Sequence, residues 1–68
     1  MKEIKINTDI IKLDSFLKWC GAVSLGSEAK MLIQNGSVKL NNDIETRRSK
    51  KLSRGDIVEL NGIQYKLI

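Results

Sequence analysis

The chain has 68 residues, of which 12 are Lys or Arg and 8 are Asp or Glu, giving a formal net charge of +4. A chain of this length forms one small domain with a thin core, so its function must lie on the surface. With no His and one Cys, it cannot build a disulfide framework, a Cys/His zinc site or a nucleophile–His pair. No apolar stretch has the length of a signal core or a membrane span, and we expect a cytoplasmic protein with neither cofactor nor enzyme activity.

The first part of the chain predicts a strand and then a helix. Residues 2–6 alternate polar and apolar side chains, which is typical of an edge strand, and residues 7–9 form a turn. The apolar side chains of the helix recur on one face: Leu13, Phe16, Leu17 and Cys20. We expect Asp14 or Asp9 to cap its start and Gly21 to end it.

A second helix follows after a short linker. It begins within residues 24–27, with Ser24 or Ser27 as the predicted N-cap, and ends at Asn35-Gly36. Its apolar face consists of Ala29, Leu32 and Ile33. Because the linker is short, the two helices should pack as a tight pair.

After the second helix the apolar period changes from about 3.6 to about 2, which predicts strands. The predicted strands cover residues 37–41, 44–46, 57–60 and 63–68. Asn41-Asn42-Asp43 and Asn61-Gly62 predict hairpin turns, since Asn, Asp and Gly tolerate positive φ. Leu52 should return to the core and residues 54–56 should form a turn. The predicted fold is α+β, with a helix pair packed on a small antiparallel sheet.

The segment 47–54, called the basic segment below, has no acidic residue. It contains five cations, which are Arg47, Arg48, Lys50, Lys51 and Arg54. Arg binds a phosphate through two parallel hydrogen bonds, and Lys acts as a point charge. The charge pattern alone fits either a nucleic-acid contact or a solvated loop that keeps the protein soluble.

Aromatic residues are scarce, with one Trp, one Tyr and one Phe. The chain therefore cannot present the row of aromatic side chains that stacks successive bases of a single strand. Phe16 belongs to the core stripe and Tyr65 to the last strand, and for Trp19 we expect partial packing in preference to base stacking. A nucleic-acid partner should be recognised by phosphate contacts and by the shape of folded RNA.

An ordered set of residues resembles the S4 domain family: Leu13-Asp14-Ser15-Phe16-Leu17-Lys18, Gly21, Ser27-Glu28-Ala29-Lys30, Ile33, Gly36, Val38 and Asn41. The tail, residues 45–52 with Gly55-Asp56, is similar to the small stand-alone bacterial members. The resemblance covers nearly the whole chain as a single domain, 1–68. It implies the helix pair and small sheet of the alpha-L motif, and binding of structured RNA (rRNA or tRNA) without catalysis.

The resemblance implies an RNA-binding surface on the two helices and the adjoining loop, extended by the basic segment. Its candidate residues are Lys12, Lys18, Ser24, Gly26, Ser27, Lys30, Gln34, Asn41, Arg47, Arg48, Lys50, Lys51 and Arg54. Many members have Ser-Arg before the second helix, where this chain has Leu25-Gly26. Because this phosphate-binding Arg is missing, we expect the basic segment to make a larger share of the RNA contacts. The position before Leu13, usually Arg or Lys in the family, is Lys12, which is a milder change. Asn41-Asn42 stands where Asn-Gly is usual and can keep the turn.

We expect a monomer that does not bind membranes, with a ribosomal particle as one possible setting. Three other functions remain open. An adaptor or an assembly or rescue factor on the ribosome would depend on protein contacts, and a contiguous apolar patch around Trp19 and Leu25 would support this alternative. A guide domain could act in trans with an RNA-modification enzyme. DNA binding is disfavoured because Lys30 is the only cation of the second helix.

Overall fold

The computed structural model describes all 68 residues, with two helices lying against one side of a five-stranded sheet and a two-stranded ribbon beside them. In chain order the elements are β1 (Lys2–Ile4), β2 (Ile11–Lys12), α1 (Leu13–Trp19), α2 (Gly26–Gln34), β3 (Val38–Leu40), β4 (Asp43–Ile44), β5 (Lys51–Leu52), β6 (Ile57–Leu60) and β7 (Ile63–Leu67). The predicted α+β class and the helix pair are confirmed. No helix combines the length and the apolar character needed to cross a membrane.

The sheet has the strand order β1-β7-β6-β3-β4. Four of these strands pair antiparallel, as predicted, but β1 runs parallel to β7, so the sheet is mixed. Nearly the whole chain separates β1 from β7, so no tight turn forces them to run in opposite directions. The backbone amide of Ile6 donates to the Ile68 carbonyl (3.0 Å), and that of Ile68 donates to the Ile4 carbonyl (2.9 Å). The two ends of the chain are thereby joined.

The ribbon of β2 and β5 was not part of the sequence prediction. Each strand has two residues, with Ile11 opposite Leu52 and Lys12 opposite Lys51. Strands of this length are too short to show an alternating pattern. Leu52 is fully buried, as predicted, and it anchors the ribbon to the core.

Only apolar side chains are fully buried. The core consists of Ile6, Leu13, Phe16, Leu17, Val23, Ala29, Ile33, Val38, Leu40, Leu52, Val58, Leu60, Tyr65 and Leu67. The helix stripes predicted from the periodicity enter this core, although Cys20 and Leu32 only pack against its edge. Burial of apolar surface is the main force that holds the helices on the sheet.

The predicted side-chain N-caps are wrong for both helices. Lys12 and Leu25 occupy the N-cap positions, and neither makes a side-chain cap hydrogen bond. Asp14 lies inside the first turn of α1, where its carboxylate accepts from the Ser15 amide. At α2 the side chain of Ser24 accepts no hydrogen bond from the helix amides. Instead, the backbone amide of Ser24 donates to the Glu28 carboxylate (3.1 Å).

The chain-reversal residues behave as predicted. Asn41 and Asn42 have φ values of 51° and 76°, and Asn61 and Gly62 have 54° and 76°. Two successive residues with positive φ form the tight turn that matches the twist of a hairpin. These turns join β3 to β4 and β6 to β7.

Candidate nucleic-acid interface

The backbone of the basic segment lies on the start of α1. The Leu13 amide donates to the Lys50 carbonyl (2.9 Å), and the Asp14 amide donates to the Arg48 carbonyl (3.1 Å). The first amides of a helix have no partner within the helix, and here the carbonyl groups of the basic segment supply one. The cationic side chains therefore project from a backbone that is fixed at the positive end of the helix dipole.

Two lysines face each other across the ribbon. Lys12 on β2 is directly opposite Lys51 on β5, and both side chains are exposed. Neither forms an ion pair with a carboxylate. Like charges directly opposite each other on paired strands destabilise the pairing, and a bound anion would remove that cost.

Arg47 is neutralised by an acid just outside the basic segment. Its Nε donates to Glu45 Oε2 (3.0 Å) and its Nη2 donates to Glu45 Oε1 (3.1 Å), which is the two-pronged geometry of a strong ion pair. The hydrogen bonds that Arg47 donates to the Glu45 carboxylate lower the pKa of Glu45 and raise the pKa of Arg47. Arg47 is thus less available to a phosphate than its position in the sequence suggested.

Arg54 connects the basic segment to the beginning of the chain. Its Nη1 donates to Asp9 Oδ1 (3.3 Å), and its Nη2 donates to the Ile6 carbonyl (3.2 Å). Arg54 therefore stabilises the contact between the basic segment and residues 6–9, in addition to carrying a positive charge. The cations on the ribbon and the basic segment that lack a carboxylate partner are named the cationic ridge: Lys12, Arg48, Lys50 and Lys51.

The candidate residues of the helix pair are all exposed, with some at the junction of α1 and α2 and others along α2 as far as its last residue: Lys18, Ser24, Gly26, Ser27, Lys30 and Gln34. A methyl group added at Gly26 would lie 4.0 Å from Lys18 Cδ, so the Lys18 stem extends beside the first turn of α2. That turn has no side-chain cap, and its free amides favour an anion. The Glu28 carboxylate in the same turn opposes this effect.

Asn41, also a candidate, uses both of its side-chain polar atoms within the protein. Its Nδ2 donates to Asp56 Oδ1 (3.1 Å), and its Oδ1 accepts from the Ile57 amide (2.9 Å). Its own amide donates to the Ile57 carbonyl (2.8 Å). These bonds assign Asn41 to holding β3 against the start of β6 rather than to the exposed cationic surface.

A shallow groove beside the first helix was not predicted. It is lined by Ile11, Ser15, Lys18 and Trp19. Trp19 packs only in part, as expected from the sequence, and its side chain remains half exposed. The groove depends on the ribbon, which brings Ile11 next to α1, so the helix pattern alone could not reveal it.

The open face of the sheet carries charges in a different arrangement. Lys39 on β3 is opposite Glu59 on β6, and Glu3 on β1 is opposite Lys66 on β7. Gln64 Nε2 also donates to Glu59 Oε1 (3.3 Å). Each lysine of this face has an acid across the strand pair, so the face has little net charge.

The chain matches known proteins over most of its length. The S4 domain family matches residues 4–68. A Bacillus subtilis (strain 168) protein named "Probable ribosome maturation protein RlbA" is 37% identical over 59 residues, which cover 87% of this chain and 83% of that protein.

Solved structures show the same fold. YbcJ from E. coli, whose solution structure is described as revealing the alfaL motif involved in RNA-binding, has a TM-score of 0.75 and 28% identity, over 100% of this chain and 87% of that one. The 30S ribosomal protein S4e from Thermoplasma acidophilum has a TM-score of 0.65 and 20% identity, over 88% of this chain but 32% of that one. The order of motifs, the fold and the match over residues 4–68 agree, and the chain belongs to the S4 domain family.

Proposed function

We propose that this protein is a non-catalytic RNA-binding module that binds structured RNA through the cationic ridge and the adjoining helix pair. The observation that carries the proposal is the pairing of Lys12 with Lys51 without a carboxylate partner. An arrangement that weakens the free protein is explained most simply by a polyanion that binds there. The description of YbcJ, which links its motif to RNA-binding, supports the same function.

The chemistry of the ridge favours phosphates over bases. Lys12, Lys50 and Lys51 supply point charges, and Arg48 can bind a phosphate through two hydrogen bonds. The backbone beneath them is held on α1, so the spacing of the cations is fixed before binding. A fixed array of this kind recognises the backbone shape of folded RNA.

Ribosomal RNA is the partner that we favour over tRNA. The support is the name of the B. subtilis relative, which places that protein in ribosome maturation. Such a partner agrees with the cytoplasmic location expected from the sequence. We infer that the protein binds as a monomer, since one chain supplies both the ridge and the helix pair, and Lys12 of the ridge directly precedes α1.

A salt titration of binding tests the proposal. Fluorescence anisotropy would follow binding to an rRNA hairpin, a folded tRNA and a duplex DNA of equal length. With four ridge cations, log affinity should fall against log salt with a slope of roughly three to four, and RNA should be preferred. Absence of binding to every nucleic acid at low salt would overturn the proposal.

Exposed apolar side chains favour a second candidate, an adaptor that binds protein. Leu25, at the N-cap of α2, and Met31, within α2, are 63% and 60% exposed, and exposed apolar side chains that form a contiguous patch mark protein-interaction sites. An adaptor would remain bound to ribosomal particles at high salt and after nuclease treatment. An RNA-binding module would be released by either treatment.

A further inference from the structure

The groove beside α1 combines one aromatic wall with polar groups. It is open, has a volume of about 330 Å³, and lies between Ile11 of the ribbon and the exposed side of the helix. Trp19 supplies the aromatic wall, Ser15 a hydroxyl and Lys18 an ammonium group. Small-ligand sites range from about 300 to 1,000 Å³, so this groove suits one planar group and not a row of them.

Trp19 is held in place before anything binds. Its Nε1 donates to the Lys5 carbonyl (2.9 Å), which turns the polar edge of the indole toward the protein. Half of Trp19 remains exposed, and the residue lines the groove. A ligand that stacks on a fixed ring loses less conformational entropy on binding than one that must first order it.

The groove and the cationic ridge both use residues of β2. Ile11, which lines the groove, is followed by Lys12 and lies opposite Leu52, whose neighbour is Lys51. Lys18 adds a cation within the groove itself. An apolar peptide would leave these charges unpaired, whereas a nucleotide presents a flat base for the ring and phosphates for the lysines.

We propose that the groove receives one unpaired nucleobase of the bound RNA, stacked on Trp19, with the neighbouring phosphates at Lys18 and Lys12. This inference rests on the proposed function and adds to it a preference for RNA with an unpaired nucleotide beside a helix. The sequence favoured a packing role for Trp19. Because the hydrogen bond to Lys5 fixes the ring and the ring lines the groove, its exposed half can also stack on a base.

Two RNA probes of equal charge test the inference. The first is an RNA hairpin with one unpaired adenosine in its stem, and the second has an abasic nucleotide at that position. Both carry the same phosphates, so the ridge should bind them equally. We expect the adenosine probe to bind about tenfold more tightly and to quench the fluorescence of Trp19, the only Trp in the chain.

Variants locate the effect. Trp19→Leu should abolish the difference between the two probes, and Trp19→Phe, which keeps an aromatic ring, should retain part of it. Ile44→Ala removes an exposed apolar side chain that does not line the groove, and it should leave the difference unchanged. If Trp19→Leu fails to fold, the comparison of the two probes on the unaltered protein still decides.

The outcomes separate this inference from the proposed function. Equal, salt-steep binding of both probes without a difference in quenching would overturn the base site and leave the RNA-binding function standing. A preference for adenosine that survives in Trp19→Leu would also overturn it, because the base would then bind elsewhere. Failure of both probes to bind at low salt would overturn both proposals.

Discussion

The cationic ridge and the open face of the sheet both carry lysines, but in opposite arrangements. On the open face, Lys39 lies opposite Glu59, and Lys66 lies opposite Glu3, across neighbouring strands, although neither pair is in direct ion-pair contact. On the ribbon, Lys12 is opposite Lys51. Opposite charges across strands stabilise a sheet, and like charges weaken it, so only the ribbon has a local cost that a bound anion could offset.

The comparison shows that the arrangement of charge matters more than the net value of +4. Charges interspersed with opposite signs keep a surface soluble without creating a strong local field. Cations concentrated at the positive end of a helix create a potential that attracts a polyanion. The ridge has the second arrangement and the open face has the first.

The largest expected effect comes from truncating Leu52, the buried side chain that holds the ribbon against the core. We expect Leu52→Ala to lower the free energy of unfolding by about 2–5 kcal/mol, because a fully buried side chain leaves a cavity. Urea denaturation measures the change. Leu25→Ala, at a largely exposed position, should change it by less than about 0.5 kcal/mol. Equal effects of the two substitutions would show that the ribbon is not held by the core.

Asn41 offers a way to separate structural polar residues from the binding surface. Asn41→Gly permits the positive φ but removes the bonds to Asp56 and Ile57. Stability should fall by about 1 kcal/mol, while RNA affinity measured on the folded protein stays the same. A loss of affinity at unchanged stability would return Asn41 to the RNA surface.

Glu45→Gln should remove the ion pair with Arg47 and so add one unpaired cation beside the cationic ridge. The pKa of Glu45 is lowered in the folded protein, so the ion pair is intact at neutral pH and is lost as the pH falls through that lowered value. Freed from the pair, Arg47 should raise RNA affinity several-fold and steepen the salt slope by about one unit. An unchanged slope at neutral pH would mean that Arg47 does not reach a phosphate.

The smallest effect concerns the stability of the ribbon itself. Lys51→Gln removes the repulsion from Lys12 and should raise the free energy of unfolding by a few tenths of a kcal/mol while it weakens RNA binding. Lys39→Gln is the matched control, and it should lower stability by a similar amount because the opposite charge across the strand from Glu59 is lost. Destabilisation by Lys51→Gln would show that the two lysines do not repel each other.

The sequence predicts the parts of this fold that depend on local pattern. The stripe of Leu13, Phe16 and Leu17 fixes the buried side of α1, and residues that tolerate positive φ mark both hairpins. The S4 resemblance then supplies the arrangement of these parts, which local pattern does not determine.

Contacts between distant segments were beyond prediction. The parallel pairing of β1 with β7 and the two-residue ribbon form only when the chain closes on itself. The N-cap of α1 was mispredicted because backbone carbonyls of Lys50 and Arg48, far along the chain, bind the amides of α1. The candidate cations could be named from the sequence, but which of them are neutralised could not, since this depends on the position of Glu45 and Asp9 in space.

The most direct test of the ridge compares two double variants of equal charge. Lys12→Gln/Lys51→Gln and Lys39→Gln/Lys66→Gln each remove two positive charges, the first from the ridge and the second from the open face. RNA affinity would be measured by anisotropy across a salt series. We expect the ridge variant to lose at least about tenfold in affinity at low salt and about two units of salt slope, and the open-face variant to lose less than about threefold. Equal losses in the two variants would show that net charge, and not the ridge, binds RNA.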